Sequence, residues 1–225
     1  MDNLFSKKDE EKVISRYSKR LEEFGYSQKA VGWGEKGKQE IRFEHLASEW
    51  NLQDKSILDI GAGFGDLYKF LKPLGISHYT GIDVVPSLVE KGNEVFCDAE
   101  NFKLIEGNIL EIDVESNFDI AFISGTFNFK LLDGKNYEFI EAVLKKCMHL
   151  CKEGVCANFI TDRVDYHEEL IFNSKPEKIL EIGLSMTKNI VFKQDCFPFE
   201  FSIFMRKDDS FLKETTIFNS YLHGK

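Results

Sequence analysis

Leu58-Asp59-Ile60-Gly61-Ala62-Gly63-Phe64-Gly65-Asp66 is the stretch that decides how this 225-residue chain folds. The apolar run SILDIG (56–61) reads as a buried strand, and GDLYKFLKPL (65–74) reads as a helix that Pro73 and Gly75 close. Three glycines at every second position join them. Glycine there lets the chain turn sharply and brings backbone N–H groups close to a ligand.

Downstream the same alternation repeats. YTGID (79–83), FKLIEG (102–107), FDIAFISG (118–125) and GVCANFIT (154–161) are predicted strands. Helices are expected from Pro86, over 136–151, and from Pro176 to about Met186. NIVFKQ (189–194) and PFEFSIFMR (198–206) stand too close together for a parallel crossover, so they are expected to pair as an antiparallel hairpin at one edge. In the second, Phe199, Phe201, Ile203 and Met205 alternate with Glu200, Ser202 and Arg206, the pattern of a half-exposed strand. The fold class is therefore α/β: a doubly wound seven-stranded sheet, parallel except for an antiparallel terminal hairpin strand.

Upstream, Phe43, Leu46, Ala47 and Trp50 repeat at helical spacing and predict a helix over 38–50, after breaks at Gly32, Gly34 and Gly37. The preceding residues are polar, with Tyr17, Leu21, Phe24 and Tyr26 as apolar anchors. The expected organisation is an amino-terminal helical lid (1–50), a ligand-binding domain (51–210) and a tail (211–225).

Composition narrows the function. Hydrophobic residues make up 43% and charged residues 30%. A chain of this size buries roughly 70% of its unfolded surface, so it needs no metal or disulfide to fold. A net charge of −9 repels a phosphate backbone and argues against nucleic acid as partner. The amino end MDNLFSKKDEEK is charged where a signal peptide is apolar, and no window is long enough to span a membrane. A cytoplasmic protein without a membrane partner is expected. The five cysteines are read as free thiols; Cys147 and Cys151 share an apolar stripe with Ile140, Val143 and Leu144, which makes them core residues and not a metal pair.

A glycine-rich loop alone is a weak signal. Asp83 at the end of the second strand and Asp59 just ahead of the loop strengthen it. A dinucleotide fingerprint wants glycine at position 66, where this chain has Asp66. The combination resembles the class I S-adenosylmethionine-dependent methyltransferases over about Ser56–Arg206. The resemblance implies S-adenosyl-L-methionine as cofactor, with Gly61, Gly63 and Gly65 along its methionine half and Asp59 anchoring its ammonium. It also implies Asp83 on both ribose hydroxyls, Asn108 and Ile109 at the adenine edge, Asn108 accepting from the amino group, and Ser124 on the sulfonium side. Arg42 is the candidate for the cofactor carboxylate, a surface ion pair with a nearby Glu being the alternative.

Methyl transfer from a sulfonium is mainly alignment in a dry site, so no catalytic triad is sought. Tyr166 and His167, after the fifth strand, are the candidate base or substrate contacts, against the alternative of a solvated loop. Tyr17, Tyr26, Trp33, Gln39 and Arg42 form the amino-terminal constellation. The Asn/Asp-Pro-Pro-Tyr/Phe motif of base and glutamine methyltransferases is absent. The expected acceptor is thus an O or N of a small molecule. A protein or RNA acceptor, or a non-catalytic cofactor-binding module, is the alternative; the oligomeric state stays open.

Overall fold

The computed structural model describes residues 4–34, 38–115, 117–207 and 216–218. Its sheet has seven strands: β1 (Ser56–Ile60), β2 (His78–Asp83), β3 (Phe102–Glu106), β4 (Phe118–Ile123), β5 (Cys151–Ile160), β6 (Asn189–Lys193) and β7 (Glu200–Arg206). Their order is β3-β2-β1-β4-β5-β7-β6. Every pairing is parallel except those of β7, which runs antiparallel to both β5 and β6. The strand order reverses between β1 and β4, and a crevice for ligands opens at the carboxyl ends of strands at such a point.

Six α-helices are described: α1 (Lys7–Phe24), α2 (Lys38–Ala47), α3 (Asp66–Leu71), α4 (Pro86–Val95), α5 (Asn136–Leu150) and α6 (Pro176–Met186). Side chains alternate across each strand, so the sheet feeds two cores. Ile57, Tyr79, Ile120, Phe122 and Phe204 pack with α2, α3 and Val89 of α4 on one face. Leu58, Ile60, Ile123, Val155, Phe159 and Phe201 pack with α5 and α6 on the other. An aromatic chain runs through the second core: Phe192, Phe201, Phe159 and Phe127 stack in turn at 5.2–5.3 Å, then Phe139 and Phe5 carry contact to the start of the chain.

Three expectations are corrected. Cys151 belongs to β5, because helix α5 ends at Leu150 and the strand starts at once, three residues earlier than its apolar pattern suggested. β7 is not half-exposed: Phe201 through Met205 are all buried, because β7 is inserted between β5 and β6 and covered on both faces. Helix α2 also stops at Ala47, short of Trp50.

The five cysteines are free, with Cys147, Cys151 and Cys156 buried. Among the described residues no helix is long and apolar enough to cross a membrane, and no three His, Cys, Asp or Glu side chains gather as metal ligands. Apart from residues 216–218, the expected tail 211–225 lies outside the described residues, as does Gly37.

Candidate functional site

A cavity of ≈ 240 Å³ opens at the carboxyl ends of β1, β2 and β4, where the strand order reverses. Its floor is the turn after β1. Gly61, Gly63 and Gly65 all take positive φ, which a side chain would strain. The N–H groups of Gly61 and Ala62 both donate to the carbonyl of Ile82, at 2.8 and 3.2 Å, tying the turn to β2. Crowding explains the remaining glycine preference: a Cβ at Gly61 would stand 2.1 Å from Oγ1 of Thr126, which itself donates to the carbonyl of Ile60.

Three carboxylates line this floor, Asp59 and Asp83 buried and Asp66 half-buried. Asp83, at the end of β2, accepts from the Gly63 N–H at 2.8 Å and the Val85 N–H at 2.9 Å. Burial raises its pKa, with those backbone donors pulling the other way. Asp59 accepts from the Tyr79 hydroxyl at 2.6 Å, and its pKa is pushed up to about 7, chiefly by burial. Asp66, the first residue of α3, accepts from the Tyr26 hydroxyl at 2.7 Å and is also raised by burial. Arg16 is the one cationic side chain among the described residues of the lining.

The loop after β3 contributes Asn108 and Ile109, and the one after β4 contributes Ser124. Asn108 accepts from the Leu110 N–H at 3.0 Å, while its side-chain nitrogen is buried without a partner. The unpartnered atom is therefore a donor, while Oδ1 keeps a second lone pair for the accepting role expected of Asn108. The Ser124 hydroxyl is likewise buried and unpartnered. Buried polar groups without partners are uncommon, and two on one cavity wall mark it as built to receive hydrogen-bonding groups.

The roof is the amino-terminal segment. Val13, Arg16 and Tyr17 of α1 line the cavity, followed by Val31 and Trp33; Gln39 and Phe43 of α2 close one side. α1 is anchored at both ends of this span. Near its start, buried Asp9 accepts from the Leu132 N–H at 2.9 Å; further on, the Ser18 and Ser87 hydroxyls meet at 3.0 Å. Burial raises the pKa of Tyr17 and keeps its phenol neutral.

Of the residues expected at the site, Asp59, Gly61, Gly63, Asp83, Asn108, Ile109 and Ser124 line the cavity, as do Tyr17, Trp33 and Gln39. Four do not. Gly65 points to the core instead, where a Cβ would meet the Phe102 ring at 2.7 Å. Arg42 is turned away and held by Glu200, its Nε donating to Oε2 at 2.7 Å. Tyr166 is exposed, and His167 reaches only Asn173, at 3.1 Å. Sequence reasoning missed Arg16, whose signal was its i, i+3 spacing from Val13 beside Tyr17, and passed over Asp66, Thr126 and Asn128 as lining residues.

Residues 57–154 match the family model described as "Methyltransferase domain". A ribosomal protein L11 methyltransferase of Clostridium perfringens is 34% identical over 70 residues, covering 30% of this chain and 22% of the relative, so the match spans about a fifth of that protein. Among solved structures, magnesium protoporphyrin IX methyltransferase from Synechocystis PCC 6803 superposes with a TM-score of 0.61 at 15% identity, over 87% of this chain and 99% of its own. Phosphoethanolamine N-methyltransferase 1 of Haemonchus contortus gives 0.63 at 12% identity, over 88% of this chain and 49% of its own. At such identities the likeness to solved structures concerns the fold alone. Residues 57–154 thus match a methyltransferase domain, and the chain has the Rossmann-like fold of the solved methyltransferases.

Proposed function

We propose that the cavity binds S-adenosyl-L-methionine and that the chain transfers its methyl group to a small acceptor. The observation that carries this reading is the pattern of charge: three carboxylates, two of them buried, and one arginine line the same cavity. The cofactor bears a sulfonium, an ammonium, a carboxylate and two ribose hydroxyls, and so matches that pattern. Asp83 would take the hydroxyls, Asp59 and Asp66 the cationic amino-acid end, and Arg16 the carboxylate, as a guanidinium suits a carboxylate. Asn108 and Ser124 have polar atoms free for the remainder. When bound, the sulfonium supplies an electrophilic methyl carbon.

The chain's own part is to orient the acceptor and exclude water. Phe129, Leu131, Phe139, Ile160 and Ile171 make much of the remaining wall apolar, and α1 covers it. No His, Lys, Glu or Cys lines the cavity among the described residues, so the side chains able to take a proton are the three aspartates. An acceptor whose O or N arrives already unprotonated suits this site. A roofed cavity favours a small molecule. The L11 methyltransferase likeness is the observation that favours a protein acceptor as the second reading.

Calorimetric titration tests the cofactor: S-adenosylmethionine is expected to bind and a nicotinamide dinucleotide not to, and binding of the dinucleotide alone would overturn the assignment. Incubating the protein with labelled S-adenosylmethionine and a fractionated cell extract tests the acceptor. Label in the small-molecule fraction is expected; label confined to protein or RNA would replace it.

A further inference from the structure

Arg42 lies outside the cavity, yet it is bound to the cavity wall. Its guanidinium sits between two rings, 4.4 Å from the centroid of Trp33 and 4.3 Å from that of Phe197. In its plane it is clamped by both carboxylate oxygens of Glu200, and Nη1 donates to the Lys38 carbonyl at 2.9 Å. A guanidinium held by a fork of this kind has a fixed plane, and a fixed plane dictates where a stacked indole lies. The two charged side chains are only 10% and 16% exposed, unlike a pair standing in solvent.

The other side of that indole touches the cavity. Its Cη2 and Cζ2 stand 3.0 Å from the place a Cβ would occupy on Gly125, and both Trp33 and Gly125 line the site. Asn158 closes the circuit. Its Oδ1 accepts from the Gly125 N–H at 2.8 Å, and its Nδ2 reaches Glu200 Oε2 at 3.5 Å. Trp33 and Gly125 are therefore both referenced to one carboxylate, the former through Arg42 and the latter through Asn158.

We propose that Arg42 is a positioning residue. Clamped on Glu200, it holds Trp33 against Gly125 and so sets the outer wall of the cavity without touching what binds there. The consequence for ligand affinity rests on the cofactor reading above; the placement of Trp33 does not.

The chain has two tryptophans, so protein labelled with fluorotryptophan gives two fluorine NMR lines, and Trp33→Phe assigns them. Arg42→Gln and Glu200→Gln are both expected to shift the Trp33 line and leave the Trp50 line in place, which also reports that the fold is intact. An unmoved Trp33 line in either folded variant overturns the proposal. In the unaltered protein, Overhauser contacts between the Trp33 indole and the Gly125 Cα protons are expected, and their absence overturns it with no variant needed. S-adenosylhomocysteine is expected to bind about tenfold more weakly to Arg42→Gln, the scale of a desolvated cation–π contact. Unchanged affinity with a displaced Trp33 line would refute the claim on the wall. If the unaltered protein binds no S-adenosylhomocysteine while the variants still displace Trp33, the cofactor reading fails and the positioning role stands.

Discussion

The glycine turn at 61–66 and the amino-terminal cover at 5–33 face the same cavity, but different physics holds them. The turn is fixed by its own backbone conformation and by close packing: positive φ at three glycines, two N–H groups on the Ile82 carbonyl, and neighbours that crowd a Cβ at each. The cover is fixed by partners far away in sequence, such as Asp9 with Leu132 and Tyr26 with Asp66. A wall built by local conformation tolerates almost no substitution. A wall built by separate distant contacts loses them one at a time.

The sharpest way to break that contrast is Gly61→Ala. Its Cβ would clash with Thr126 in a left-handed backbone, and a loss of about 2–4 kcal/mol is expected from strain and overpacking together. Gly134→Ala, at similar φ with nothing within 4 Å, is the control and is expected to cost about 1–2 kcal/mol. Urea denaturation of both measures the difference; equal losses would show that crowding at the turn contributes nothing.

Ligand binding sharpens the contrast next. Asp83→Ala, on the floor, is expected to weaken S-adenosylmethionine and methylthioadenosine alike, by about 1–3 kcal/mol. Arg16→Gln, in the cover, is expected to weaken S-adenosylmethionine by a similar amount yet leave methylthioadenosine, which lacks the amino-acid end, unaffected. Calorimetry of the unaltered protein and both variants with each ligand decides it, and equal losses for both ligands with Arg16→Gln would remove Arg16 from its assigned role.

A third prediction uses pH. Asp59 is held near 7 in the fold against an ordinary 3.8, so folding takes up a proton between those values. Its contribution to stability is complete below about 3.8 and is lost as pH rises through about 7. A bound cation prefers the charged carboxylate, so affinity for S-adenosylmethionine is expected to rise through that same range, by at most about tenfold per pH unit. Titrations from acid to alkaline pH on Asp59→Asn are expected to show a flatter rise; an identical slope would acquit Asp59. The smallest effect belongs to the cover: Tyr26→Phe removes one half-exposed hydrogen bond and is expected to cost about 0.5–1 kcal/mol, or about 1–4 °C in melting temperature.

The same contrast decides what the sequence revealed. Strand and helix periods, the glycine turn and Asp83 are local signals, and the sheet with its carboxylate-lined floor was readable from them. The burial of β7 was not, since Ser202 and Glu200 suggest a wet face and only the pairing order puts another strand on each side. Arg42 was assigned to the cavity because its helix position is visible while its partner, 158 residues away, is not. Arg16 was overlooked for the converse reason: it looks like one more charge in a charged helix until α1 is laid across the sheet.

The reversed direction of β7 has an outcome in time as well as in space. Running against its neighbours, it delivers its first residue, Glu200, to the end of the sheet where the other central strands finish. The carboxylate that fastens Arg42 is thus added by the ribosome 158 residues after it. A nascent polypeptide ending near residue 190 carries its glycine turn and both neighbouring acids, yet nothing on which Arg42 can fasten. Completion of the pocket waits for β7.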